Sequence, residues 1–361
     1  MRNRSCDGKR ALLGDTVVGE VRAAHGCGSA FLSHSLSLFP SAAPTRSCDL
    51  TCTFEPPASA PSFPELSGDM FDRGFAHDRA SGTVLFDAPA RHRVELAVES
   101  SSGLAVRVQR RVEPLKDLAR TVLRGASQAA QYEMIGFRLG VLMPLMILAQ
   151  ARARLSTLHC GAIRAGDRAL LIVGLNGVGK TTLLLAACRS GGGTPMSDNF
   201  CFVRGGDGTA RGLPEVLRVS PKVIEEMRRQ TIPDVPSLFG KRVVEWPSAP
   251  WGEEVQVGGV LLLRLGARTL LSDLPAAEAR AHLSAAHRHV AETPDFGPYA
   301  LAASALGLWE GPWSTEEDIR LLTSCVPCGA LVVEQASPGR VVSVMQAAAE
   351  TALRWLDRRR S

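Results

Sequence analysis

A chain of 361 residues, 45% apolar and 21% charged, has the make-up of a globular protein with room for two domains, or for one large α/β domain with an appendage. Its net charge of +5 is spread along the chain and aromatic residues are only 5%; no basic stripe interleaved with aromatics occurs, so no nucleic-acid partner is expected. Nine cysteines, an odd number without framework spacing, point to reduced thiols and a cytoplasmic setting.

Residues 1–69 differ from the rest of the chain. They carry Cys6, Cys27, Cys48 and Cys52 and six prolines (Pro40, Pro44, Pro56, Pro57, Pro61 and Pro64), with no sustained period of 2 or 3.6. They read as a disordered extension, or as residues ahead of a true start at Met70. A zinc site lacks a second Cys/His pair at ligand spacing. Organised structure is expected from near Thr83. Residues 93–99 and 104–109 alternate as strands of a hairpin across Ser101, Ser102 and Gly103, and 114–130 and 135–154 read as helices. The apolar run 139–149, interrupted by Pro144, is too short to span a bilayer, and Asp15 and Glu20 break the stretch a signal peptide would need; no membrane partner is expected. Residues 70–154 thus form a small N-terminal α/β portion, and 155–361 a second domain.

In that second domain, 158–163 reads as one strand, Ala165, Gly166 and Asp167 as a turn, and 169–173 as its antiparallel partner. Gly174-Leu175-Asn176-Gly177-Val178-Gly179-Lys180-Thr181 then matches the phosphate-loop pattern G-x-x-x-x-G-K-[ST] without a mismatch, between an apolar strand and the helical run that Thr182 opens. A glycine-rich turn there aims backbone N–H groups inward, and the helix N-terminus adds partial positive charge. Gly174, Asn176, Gly177, Val178, Gly179, Lys180, Thr181 and Thr182 are the expected nucleotide-binding residues, with Lys180 on the β- and γ-phosphates and the Thr181 hydroxyl on Mg²⁺. Downstream lie Ser197-Asp198-Asn199, a proline-rich irregular stretch at 231–250, an apolar strand at 257–265, an Ala-rich helix at 275–292, a last strand at 330–334 and a closing helix at 339–358.

The order of these motifs resembles HPr kinase/phosphorylase, whose core is shared with the phosphoenolpyruvate carboxykinases. A strand with His159 leads by a hairpin into the phosphate loop, and Ser197-Asp198-Asn199 comes about eighteen residues after Lys180. The HPr-kinase-like proteins of peptide and natural-product gene clusters are similar again, with a Leu-His strand and a late Pro-Cys strand, here Pro327-Cys328. The resemblance covers roughly residues 155–340. It implies an α/β nucleotide-binding core of that type, ATP and Mg²⁺ as cofactors, and a small protein or peptide as phosphoryl acceptor. It also implies Asp198 as general base and, with Thr181, metal ligand; His159 near the aspartate; and a homo-oligomer, since the parent family forms hexamers. Asn199 departs from the family's second aspartate, and the Glu-x-Arg-Gly-Leu-Gly signature is missing, with Glu215, Arg218 and the Lys241-Arg242 pair only loosely in its place.

Plainer readings stand beside these. Asp198 also fits a turn at a strand end, and His159 a satisfied core histidine. His282, His287 and His289 read as a solvated helix surface, and Cys325 and Cys328 as a buried pair leading a strand. Three functions remain open: a kinase acting on a serine hydroxyl; a catalytically weak ATP-binding subunit of a biosynthetic complex; and an ABC-like ATPase, whose phosphate loop is similar but whose Leu-Ser-Gly-Gly-Gln signature is absent.

Overall fold

The computed structural model of the chain describes residues 9–13, 17–23, 35, 49–58, 69–72, 75–78, 81–88, 91–98, 103–113, 115–117, 126–213, 215–227, 238, 240–244, 253–291, 296–308, 313–337 and 339–359. The fold is mixed α/β with several sheets. Two compact units form: residues 1–153 with 234–239 and 291–311, and residues 154–233 with 240–290 and 312–361. The second half of the chain is therefore not one unbroken body from residue 155 to 361, because two of its segments return to the first unit.

The first unit is built on a sheet of Lys9–Leu13 (β1), Val17–Ala23 (β2), Leu50–Ala58 (β3), Asp69–Asp72 (β4), Phe75–Asp78 (β5), Thr83–Ala88 (β6), His92–Val98 (β7) and Leu104–Arg111 (β8). They run in the order β1-β2-β3-β8-β7-β6-β5-β4. Period-2 alternation decides which face is buried: Leu50, Cys52 and Phe54 point inward with Val84 and Phe86, Val94 and Leu96, and Leu104, Val106 and Val108. This corrects the expected start of order near Thr83: β3 lies inside the sheet, paired in parallel with both β2 and β8. The expected β7–β8 hairpin forms as an antiparallel pair. Cys6, Cys27 and Cys48, the other thiols weighed as zinc ligands, lie outside the described residues.

Helix α1 (Ala126–Phe137) continues through a π-turn at Arg138–Leu142 into α2 (Met143–Ala153). Met143 N–H donates to Arg138 O, five residues back. The wider turn precedes Pro144, which has no N–H to give, and the helix passes the proline without stopping. The gap expected at 131–134 between two helices is thus filled by one continuous run, and 118–125, within the first of them, lies outside the described residues. The stretch Ala130–Ala151 has 22 residues, and its most apolar 18-residue window has a mean hydropathy of 1.7, long and apolar enough to cross a membrane, so the length argument drawn from 139–149 does not hold. Of its most apolar window, 78% is buried. Helix α6 (Phe296–Ala305) packs here too: Tyr299 donates its hydroxyl to Leu139 O and meets Phe86 edge-on at 5.0 Å.

The second unit has a nine-stranded sheet: Ser156–His159 (β9), Gly161–Ala165 (β10), Arg168–Val173 (β11), Thr194–Ser197 (β12), Phe200–Arg204 (β13), Thr209–Gly212 (β14), Glu254–Gly266 (β17), Leu270–Asp273 (β18) and Cys328–Glu334 (β19). Leu217–Val219 (β15) pairs with Arg242–Val244 (β16) in a two-stranded ribbon; β16 lies within the stretch expected to be irregular, the rest of which is mostly outside the described residues. The successive residues of β11 divide between two cores. Leu170 and Ile172 pack with α3 (Lys180–Arg189) and α8 (Val341–Arg358); Ala169, Leu171 and Val173 face the core of α5 (Ala276–Ala291) and α7 (Trp313–Cys325). α4 (Pro221–Met227) joins the first of these through Val223 and Met227. The result is a helix–sheet–helix sandwich.

The single strand expected at 158–163 is two strands. Cys160 N–H donates to Leu158 O at 3.1 Å, a three-residue turn that breaks the ladder. Before the break His159 pairs with Phe200 on β13; after it Gly161 pairs with Ile172 on β11, in the antiparallel register expected.

Candidate functional site

Strand direction brings the site together. β11, β17 and β19 are parallel, and the Gly174–Thr181 segment leaves the carboxyl end of β11, the edge where open α/β sheets bind ligands. β12 reaches β11 through two antiparallel steps by way of β10 and so runs parallel to it. Its carboxyl end therefore emerges at the same edge, and the next residue is Asp198. Gly177 (φ 82°) and Gly179 (φ 104°) hold left-handed backbone that side-chain-bearing residues rarely adopt. Their freedom lets the chain turn back on itself and enter α3 at Lys180, with Leu183 N–H donating to Gly179 O.

Lys180 is buried, and its Nζ donates to Gly174 O at 2.8 Å and to Leu175 O at 3.2 Å, so the ammonium lies across the strand end of its own loop. Burial pulls its pKa down; the charge of Asp198 opposes the shift and that of Lys241 adds to it. Thr181 donates its hydroxyl to Asp198 Oδ1 at 2.6 Å. Asp198 is 4% exposed. Burial, with the nearby charge of Glu215, pushes its pKa up to about 6 against the pull of the Thr181 hydrogen bond, Arg218 and Lys180.

Asn199 Nδ2 donates to Glu215 Oε2 at 2.6 Å, and Glu215 is itself buried. Where the sequence offers only one carboxylate, the fold sets a second one side chain away. Glu215 and Arg218 both act electrostatically on Asp198, and Lys241 on Lys180, so three residues placed loosely by sequence lie around the loop. Among the described residues no three His, Cys, Asp or Glu side chains cluster as a metal cage.

His159 also reaches the loop: its Nε2 lies 3.1 Å from Asn176 Oδ1, and its ring meets Phe200 edge-on at 5.7 Å. His289 is exposed, as expected of the helix surface, and is 3.3 Å from Asn176 Nδ2, with its ring centroid 4.7 Å from that of His159. His287 is buried, with Nδ1 3.0 Å from Thr157 O. His282 stays at the surface beside Arg264 and Glu278. Cys328 is buried, its thiol pushed up to about 11 by desolvation, whereas Cys325 is exposed, so the two are not a buried pair.

Gly212 fixes where Asp198 stands. A methyl group there would overlap the backbone of Met196, two residues before Asp198. Gly212→Ala is expected to cost about 1–3 kcal/mol by overpacking and to lower the thermal midpoint, because backbone cannot move aside as a side-chain tip can. Calorimetry of the two proteins checks this; an unchanged midpoint would mean that β12 has slack.

No protein-family model matches the chain, and no curated protein is similar to it. Among solved structures, the HPr(Ser) kinase/phosphatase from Coxiella burnetii aligns with 56% of this chain and 93% of that one, at 12% identity and a TM-score of 0.26. So distant a likeness adds nothing to what the residues themselves show.

Proposed function

We propose that this chain is an ATP-dependent phosphotransferase that moves a γ-phosphoryl group to a hydroxyl, with a serine of a small protein or peptide as acceptor. One observation carries the reading: the Thr181 hydroxyl, on the residue after the loop lysine, is hydrogen-bonded to a buried carboxylate, Asp198. A carboxylate at that place serves both a metal and an attacking hydroxyl.

In this reading the loop amides and Lys180 hold the triphosphate. Thr181, Asp198 and Glu215 offer the hard oxygen donors that suit Mg²⁺, which keeps several waters and phosphate oxygens and needs no cage of protein ligands. When bound, the ion neutralises charge on the β- and γ-phosphate oxygens. Asp198 takes the acceptor's proton as the serine oxygen bonds to the γ-phosphorus, the bond from that phosphorus to the β–γ bridging oxygen breaks, and ADP leaves. The burial that raises its pKa also makes it a stronger base near neutrality than an exposed aspartate.

Asn199, in place of the family's second aspartate, favours the other reading, a subunit that binds ATP without using it. Its hydrogen bond to Glu215 answers that objection by holding a carboxylate in the same neighbourhood.

The test is incubation with γ-labelled ATP, Mg²⁺ and serine-containing peptides and small proteins. Label in phosphoserine is the expected result. Label released only as inorganic phosphate would make the chain an ATPase, and bound nucleotide with no turnover would make it a binding subunit.

A further inference from the structure

Asn176 lies in the middle of the phosphate loop, and its amide is spanned by two imidazoles from distant parts of the chain. His159 Nε2 is 3.1 Å from Oδ1, and His289 Nε2 is 3.3 Å from Nδ2. The chemistry of the three groups fixes their roles. An amide oxygen only accepts, so His159 donates from Nε2–H; an amide nitrogen only donates, so His289 accepts at Nε2. The chain of bonds runs one way, from His159 through the amide to His289.

His289 is exposed, but its place is set by the packing of its helix. Its helix, α5, buries Ala279, Leu283, Ala286 and Val290 in the core shared with Leu158 and Val173. His287, two residues earlier, is anchored to Thr157 O, on the strand that carries His159. The last turn of α5 is thereby fixed against that strand, and the His289 ring rests edge-on against His159.

We propose that His289 is a positioning residue of the nucleotide site: its Nε2 lone pair, with the His159 N–H opposite, holds the Asn176 amide and so sets the first half of the phosphate loop in the shape that aims its N–H groups inward. A loop held before the ligand arrives loses less freedom on binding. The inference rests on the reading of Gly174–Thr181 as a nucleotide loop.

The test measures the affinity of the full chain for MgATP by calorimetry. His289→Phe keeps a flat ring against His159 but removes the acceptor, and is expected to weaken binding about 3- to 10-fold, the net worth of one hydrogen bond. His289→Gln returns an acceptor oxygen and is expected to stay within about 2-fold of the unaltered protein. Combined with Asn176→Ala, His289→Phe is expected to add no further loss, because both remove the same contact. Full affinity in His289→Phe, equal loss in the Phe and Gln variants, or additive losses in the double variant would each overturn the proposal while leaving the nucleotide loop in place. If the unaltered protein bound no MgATP, the functional reading and this inference would fall together.

Discussion

Replacing Asp198 with asparagine is expected to lower phosphoryl transfer about 10²- to 10⁴-fold, the range lost with a general base, and at the same time to make the nucleotide-free protein more stable at neutral pH. The second effect comes from the raised pKa, from 3.8 to about 6. Below the lower value the carboxyl is protonated whether the chain is folded or not, and its burial costs little. As pH rises through about 6 the buried group must ionise, and the stability present at low pH is lost. About two pKa units correspond to about 3 kcal/mol at pH 7.5. Asparagine keeps the shape and an acceptor for the Thr181 hydroxyl but carries no charge, so it escapes the penalty and the repulsion from Glu215. Urea denaturation in the presence of a chelator is expected to show Asp198→Asn more stable by up to about 3 kcal/mol at pH 7.5, the gap narrowing as pH falls below 6. A variant less stable at neutral pH, or a gap that ignores pH, would show that Asp198 is not held as a strained anion.

Lys180→Met is expected to weaken MgATP binding by about 2–5 kcal/mol, roughly 30-fold to several thousand-fold, the cost of removing one partner of a buried charge pair. In the nucleotide-free protein the ammonium is spent on two loop carbonyls, Gly174 O and Leu175 O, and burial already opposes its charge. Its removal therefore relieves one cost while creating another, and the unliganded stability should change little. Thermal unfolding separates the two: saturating MgATP raises the midpoint of the unaltered protein, and at the same concentration raises that of Lys180→Met much less or not at all. Equal protection of both proteins would place the nucleotide elsewhere.

What the sequence revealed of this site was what is local in the chain. The phosphate loop is contiguous, and its glycines are demanded by backbone angles that no other residue meets easily, so Gly177 and Gly179 could be read before any fold was known. Asp198 was marked only by its spacing. Its arrival beside Thr181 depends on β12 lying two antiparallel steps from β11, a matter of register that no short window contains. Glu215 meets Asn199 across the two strands and turn of a hairpin, and His289 meets Asn176 from 113 residues away. A signal for His289 was present in the buried stripe at 279, 283, 286 and 290, which fixes the helix's inner face, but the periodicity of one helix does not say what lies beside it. In the first unit, Pro56 and Pro57 masked a strand whose Leu50, Cys52 and Phe54 alternate as β3 requires. The break at Cys160 was hidden differently: an apolar run looks the same whether it keeps one neighbour or changes to another.

The most direct measurement is a crystal structure of the chain with Mg²⁺ and a non-hydrolysable ATP analogue. It is expected to place the triphosphate in the Gly174–Thr181 loop, the terminal phosphate against Lys180, and the Asp198 carboxylate facing that phosphate, within reach of an incoming hydroxyl directly or through one water. A nucleotide bound away from the loop, or bound there with Asp198 turned from the terminal phosphate, would contradict the assignment.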